Sequence, residues 1–414
     1  MNIYKENKML LDMPDSLTLV KRRTQVKQTF DEEVVEDITS GGQVLRCSWN
    51  TGEFMVDPSQ SSLIFTISVK DTSAGAFNFG SFGAISIFRQ IIIRSASGVE
   101  VCRLDEPALF SKLKFQLETD FETEIAMAEA MGTPNGANVY TWQGYSGTPT
   151  KATKHKFIIP LEYLTPLFCP ISSDTKYMPS QLAEGLTFEF YLNSVNKAIT
   201  GQATTVSYNI HSISFLLDAV ILNDRSLAEL QNKCHKKGLE WVCKGVHKQD
   251  IRGVLGGEDV SNQISFSVSQ ALRCVTFYRQ SDQQDSVTSD KGRMINVAPS
   301  FIARSGADYY PQQRVDDRNN ADPIETFNQT KYTFPKMSMA IYIFKTTAAY
   351  YAVNLNMSDF LELSGVIVNN SKTLEYLGSG NPDAPYNTTP YDVTTLLDYV
   401  KVVKIVGRNV AVAI

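Results

Sequence analysis

Apolar and polar residues alternate over short runs through most of the chain. SSLIFTISVK (61–70) mixes alternation with a brief apolar run, and AISIFRQIIIRSAS (84–97) gathers isoleucines before Gly98. KFIIPL (156–161), GLTFEFYLN (185–193) and VSYNIHSISFLLDAVIL (206–222) follow. The later half continues with LEWVCKGVH (239–247), NQISFSVSQALRCVTFYRQ (262–280), KMSMAIYIFK (336–345), AYYAVNLNM (349–357) and YVKVVKIVGRNVAVAI (399–414). β-Branched and aromatic residues fill these runs, while Gly, Pro, Asn, Asp and Ser separate them, which is a strand signature. Many strands with irregular polar connections predict sandwiches or barrels rather than a βαβ fold.

A helical period appears twice. Leu109, Leu113, Leu117, Phe121, Ile125 and Ala128 form a stripe between Asp105 and Met131. The spacing predicts one helix, begun at Asp105 or Glu106 with Pro107 in its first turn and stopped by Gly132. A second helix begins near Asp224, with Ser226 and Glu229 at capping-box spacing and Gly238 as its stop. It follows a long strand pair near mid-chain and reads as a connector between two domains with separate cores.

The two halves are also alike. FTISV followed by ISIFRQIIIRS parallels ISFSV followed by LRCVTFYRQS, and FIIPLEYLTPLF (157–168) parallels YAVNLNMSDFLEL (351–363). The offset is about 190 residues, far beyond solenoid periods, so a tandem duplication of one β-sandwich is predicted. The expected division is an N-terminal arm over 1–28, a first sandwich over 29–223, a linker helix over 224–238 and a second sandwich over 239–414.

Composition agrees with a folded chain of more than one domain. There are 414 residues, too many for one ordinary core, and 43% are hydrophobic. The net charge is −5 with both signs interspersed, unlike a dedicated nucleic-acid binder. The opening MNIYKENKMLLDMPDSLTLVKRR has no signal-peptide core, so secretion by that route is not expected. The most apolar stretch, Ile213 to Leu222, is interrupted by Asp218 and too short for a transmembrane segment. Six scattered cysteines are expected to be free, buried thiols.

In order, these segments resemble the double jelly-roll major capsid proteins of icosahedral DNA viruses, the group that includes the polinton-like and adenovirus-like lineages. FGAISIFRQIIIRSASGVEVCRLDEPALFSKL (82–113) looks like the family's glycine, strand, turn and following helix. KFIIPLEYLTPLFCPISSDTKYMPSQLAEGLTFEFYLN (156–193) and YNIHSISFLLDAVILND (208–224) look like its later strands and the start of its linker helix. In the second half, SQALRCVTFYRQSD (269–282) and FIARSGADYYPQQRV (301–315) resemble a strand and the downstream segment with paired tyrosines and a proline. The resemblance covers most of residues 40 to 414. It implies an all-β fold of two tandem jelly rolls with a few short helices, and a structural subunit of a virion capsid shell. Three copies would form a homotrimeric, pseudo-hexameric capsomer that meets neighbouring capsomers and a separate penton or vertex protein. The chain would be synthesised inside the host cell. Tall outward towers are not expected in so short a member.

Chemical motifs are sparse. There is no G-x-x-x-x-G-K-[ST], G-x-G-x-x-G or H-E-x-x-H pattern, and only four histidines are present. No catalytic residue, cofactor or metal is therefore expected. Cys234, His235, Cys243 and His247 are zinc-capable but lack finger spacing, and buried thiols with surface imidazoles are the plainer reading. Asp316, Asp317, Asp322 and Glu325 could in principle serve glycoside hydrolysis or calcium, but read as a solvated loop. Lys21, Arg22, Arg23 and Lys27 are expected either to face the interior and touch a genome weakly, or to guard a strand edge. Tyr309, Tyr310 and Pro311 are expected to form an ordered tie or interface with at least one ring buried, rather than a carbohydrate platform. A virion spike or receptor-binding module and a carbohydrate-active β-sandwich enzyme are the competing functions.

Overall fold

The computed structural model describes residues 20–414 apart from 135–138, 172–176, 256, 265, 282–285, 290–291, 296, 298–299, 319–321, 342–343, 345–349, 356–365, 369–372, 381–389 and 408. Side chains of 366–368 are likewise outside the description. Two sets of eight strands form the frame. The first comprises β1 (Val20–Thr29), β2 (Val44–Ser48), β3 (Met55–Asp71), β4 (Phe88–Arg94), β5 (Glu100–Asp105), β6 (His155–Pro160), β7 (Thr187–Leu192) and β8 (Thr205–Leu222). The second comprises β9 (Leu239–Leu255), β10 (Val260–Ile264), β11 (Val268–Gln280), β12 (Ser300–Ser305), β13 (Asp308–Asp316), β14 (Tyr351–Asn354), β15 (Leu374–Ser379) and β16 (Pro390–Val406).

The first set makes two antiparallel sheets with orders β1-β8-β3-β6 and β2-β7-β4-β5. The second makes sheets with orders β9-β16-β11-β14 and β10-β15-β12-β13. Raising every label of the first set by eight gives the second. First and last strands of each set lie side by side, which is the Greek-key wrapping of a jelly roll. Short strands extend the sheets: Val35–Ile38 pairs with β8, Val366–Val368 with β11 and Asn409–Ala413 with β16.

Period-two patterning explains the sheet faces. In β7, Phe188, Phe190 and Leu192 are buried while Thr187, Glu189 and Tyr191 are half-buried on the other face. Phe188 and Phe190 join Trp49, Phe168 and Phe215 in an aromatic core. The second core is built from Tyr278, Phe301, Tyr351 and Tyr376. The second half thus has an apolar cluster of its own. The first cluster also crosses the seam, continuing through Leu230, Trp241 and Cys243 to Phe277, Phe334 and Tyr350.

The predicted helix over 105–131 is two helices, α1 (Pro107–Leu117) and α2 (Phe121–Met131). Asp120 breaks the run, its side chain accepting a hydrogen bond from the Thr123 N–H at 2.9 Å as the N-cap of α2. The stripe therefore divides: Leu109, Leu113 and Leu117 are buried, but Phe121 and Ile125 are 58% and 49% exposed. The mid-chain helix α3 (Asp224–Lys236) is capped by Asn223, which accepts from the Ser226 N–H at 2.8 Å, so Ser226 is not its cap. Gly238, at φ 79, turns the chain into β9. A further helix, α4 (Ile324–Thr333), occupies between β13 and β14 the place that α1 and α2 hold between β5 and β6.

The expected arm over 1–28 is also corrected where it is described. Residues 20–29 are β1, paired with β8 from Val20↔Leu222 to Thr29↔Ser214. Val26 and Gln28 turn inward while Lys27 and Thr29 stay exposed, so the segment has strand alternation beneath its charges. Residues 1–19 lie outside the described residues.

Candidate assembly surfaces

The seam between the halves is closed by backbone, apolar and ionic contacts together. β9 is an outer strand of its sheet, and residues 169–171 of the first half run beside it. The Lys244 N–H donates to the Cys169 carbonyl at 3.0 Å and the Ile171 N–H to the Val242 carbonyl at 3.3 Å. The buried Trp241 indole donates to the Leu167 carbonyl at 2.9 Å. An otherwise open sheet edge is thus covered. The buried Lys112 of α1 donates to the Gly292 carbonyl, carrying a further contact into the second half.

Two carboxylates at opposite ends of α1 organise the ionic part. Glu118 accepts from Lys244 and from Arg273, the latter at 2.7 Å, with Lys114 at 3.5 Å. Burial pulls the Glu118 carboxyl upward, but Lys244, Lys114 and Arg273 outweigh it and hold it well below the ordinary range. Glu106, in a left-handed conformation at φ 53, accepts from Lys248 at 2.6 Å and Arg279 at 3.3 Å. Burial again works upward, while Arg279 and Lys248 bring its carboxyl down to about 2. Asp398 faces the Glu118 group at the other end of the helix; burial raises it and Lys244 only partly offsets that.

A cleft of about 790 Å³ lies beside the seam, lined in part by Pro170, Lys244, Arg273, Tyr332 and Asp398. Its two seam cations, Lys244 and Arg273, are already bound to Glu118. They serve the joint between halves before any ligand.

The zinc-capable residues are dispersed into separate roles. The Cys234 thiol points to the Ile405 and Gly407 carbonyls at 3.7 Å, and Cys243 is buried in the seam. His247 stacks on Phe266 with centroids 4.3 Å apart. Among the described residues, no three His, Cys, Asp or Glu side chains gather as a metal site. All six cysteines are free and buried. The acidic segment is tied into local structure. Asp317 accepts from the Glu325 and Thr326 N–H groups at 3.0 and 2.9 Å, and Asp316 pairs with Arg318 at 2.8 Å. Glu325 accepts from the Asp316 N–H at 2.9 Å, fastening the loop to the start of α4.

Tyr309, Tyr310 and Pro311 lie on β13, an outer strand of its sheet, with a cis bond between Tyr310 and Pro311. Tyr309 is 46% exposed, and Tyr310 is half-buried against the second core. The expected burial of a ring is therefore not found within one chain: Val315 turns inward opposite Phe301, but the pairing with β12 is irregular between Val315 and Tyr310, and Tyr309 is left outside. In the basic group, Arg23 is held by Asp57 at 2.7 Å and by Asp218, and lies over the Tyr177 ring. Lys21 makes a loose, exposed pair with Asp224 at 3.5 Å. Arg22 and Lys27 are exposed. Sequence reasoning missed Glu106 and Glu118 because, Lys114 apart, their partners lie more than a hundred residues away. It also passed over the acidic run DEEVVED (31–37) that follows β1, which was legible as a charge block.

The fold is shared with known structures along nearly the whole length. PBCV-1 VP54, whose crystal structure has been fitted into a reconstruction of the virophage Sputnik, superposes with a TM-score of 0.61 at 9% identity, covering 98% of this chain and 99% of that one. The Faustovirus major capsid protein gives 0.62 at 8% identity over 96% of this chain and 92% of its own. The mavirus major capsid protein gives 0.57 at 9% identity over 97% and 92%. No protein-family model and no curated protein sequence matches this chain. At such identities the likeness shows the fold: two tandem jelly rolls in one chain.

Proposed function

We propose that this chain is a major capsid protein, the structural subunit of an icosahedral virion shell. The observation that carries the reading is the repetition of one strand order in both halves, joined by a sealed seam. A subunit with two equivalent barrels produces six from three copies, so a threefold homotrimer approximates a hexagonal tile. Such a tile cannot fill a fivefold position, so a separate penton or vertex protein completes the shell. Full-length likeness to proteins described as major capsid proteins supports this assignment, by analogy of fold.

In this reading the strands supply stiffness and the exposed outer strands meet neighbouring copies. Tyr309, Tyr310 and Pro311 serve as an interface patch, where an amphipathic ring buries area once a partner arrives. No chemistry is assigned to the chain. Among the described residues no helix is long and apolar enough to cross a membrane. Lys21, Arg22 and Lys27 could touch a genome only weakly, because acids follow them directly in sequence.

Solution mass tests the proposal. Sedimentation equilibrium should give three times the 46.1 kDa chain mass across a wide concentration range. A stable monomer throughout that range contradicts it.

A further inference from the structure

We infer that the outer margin of the first half, from β1 through residue 38, docks antiparallel against the same margin of a second copy, across a local twofold axis. The inference rests on the capsid reading and identifies a contact between capsomers rather than within one. β1 is the last strand of its sheet among the described residues, and Val35–Ile38 continues the same margin farther along β8. Together they flank β8 from Leu222 to Tyr208, a margin of about 50 Å along the strand.

Charge along this margin is sorted into two blocks. The β1 block carries exposed Lys21, Arg22 and Lys27. The following block carries exposed Asp31, Glu32 and Glu36, with Glu33 half-buried. Arg22, Lys27, Asp31, Glu32, Glu33 and Glu36 make no ion pair within the described residues. Arg23 and Asp37 are not counted, because Asp57 and Asp218 hold the first and Lys70 lies 3.8 Å from the second.

Two adjoining blocks of opposite sign match a copy of themselves in one orientation. Antiparallel margins set cations on anions at both ends, whereas parallel margins oppose like charges. That is the self-complementarity of an isologous contact; a threefold ring instead joins unlike patches. Val34, 50% exposed within the acidic block, would be covered in the same contact. The outer side of β1, which pairs with no further strand among the described residues, would gain a neighbour as well. Nucleic acid or an anionic membrane fits less well, because the acidic block repels phosphate.

The test uses the full-length protein and two charge-reversed variants. One carries Arg22→Glu with Lys27→Glu; the other carries Glu32→Lys with Glu36→Lys. Trimer-to-trimer association is followed by sedimentation velocity at low ionic strength, and thermal melts confirm that each variant is folded. The parent should associate and come apart as salt rises. Either variant alone should associate at least about tenfold more weakly, and an equal mixture of the two should recover much of the loss. Neutral variants with Gln at the same positions should lie between. Trimers that associate equally well in all forms, or never associate, overturn the docking inference and leave the capsid reading standing. So does a mixture no better than its components. A chain that never forms trimers overturns the capsid reading and the inference with it.

Discussion

Glu118 and Glu106 fasten the second half to the ends of α1, and their environments make the joint sensitive to charge. Replacing Glu118 with Gln leaves Lys244 and Arg273 close together without their shared carboxylate. The change should cost about 3–5 kcal/mol, as when one member of a buried ion pair is removed. Glu240→Gln, which breaks an exposed pair with Lys404, should cost less than about 1 kcal/mol. Denaturant unfolding of the two variants makes that comparison. Both seam carboxyls are depressed in the fold, so their stabilisation is complete above the ordinary value of 4.5 and is lost as pH falls. For Glu106 the loss runs from 4.5 down to about 2. Asp398 has the opposite sign: its raised carboxyl favours the fold at acid pH, and that contribution fades as pH rises. Melting temperature measured against pH should therefore fall on the acid side, and Glu106→Gln should flatten that fall. An unchanged slope in the variant removes Glu106 from the account. None of this was legible in the sequence, because an isolated Glu carries no sign of a partner 126 or 155 residues away.

At the scale of elements, strands and their order were the most legible part. Runs such as TFEFYL and LIFTISV alternate with period two and have one face to bury, so pattern alone locates them. Helix limits were harder. The stripe from Leu109 to Ala128 keeps helical spacing across a real break, because Asp120 acts as a cap and the periodicity does not register it. Asn223 took the cap of α3 from Ser226 for a related reason: Asn and Ser both cap well, and position relative to the preceding strand decided between them. β1 was read as an arm because its charges masked the inward alternation of Val26 and Gln28. The Cys234, His235, Cys243 and His247 group shows the converse, nearness in sequence without convergence in space. Helix α3 and strand β9 carry these residues to separate surroundings. A strong chelator should accordingly leave the thermal midpoint unchanged. A drop of several degrees would show a structural metal, since such ions contribute directly to folding free energy.

For the whole molecule, duplication is the organising fact. The sheets express it as one topology used twice. Of the paired sequence fragments, FIIPLEYLTPLF and YAVNLNMSDFLEL begin on the equivalent strands β6 and β14, whereas ISIFRQIIIRS lies on β4 and LRCVTFYRQS on β11, the counterpart of β3, so that pairing was one strand out of register. The continuity of apolar packing across the seam was not visible, since it depends on which faces of Trp241, Cys243 and Phe277 meet the first half. That seam makes the two barrels a single building piece. Among the described residues β13 ends its sheet, and in the proposed reading copies of the chain complete the piece there. Averaged electron-microscopy images of the purified protein test this most directly. The account predicts a hexagonal outline with threefold symmetry, six barrels of similar size and no separate two-lobed population. Particles that remain two-lobed single chains at every concentration would contradict it.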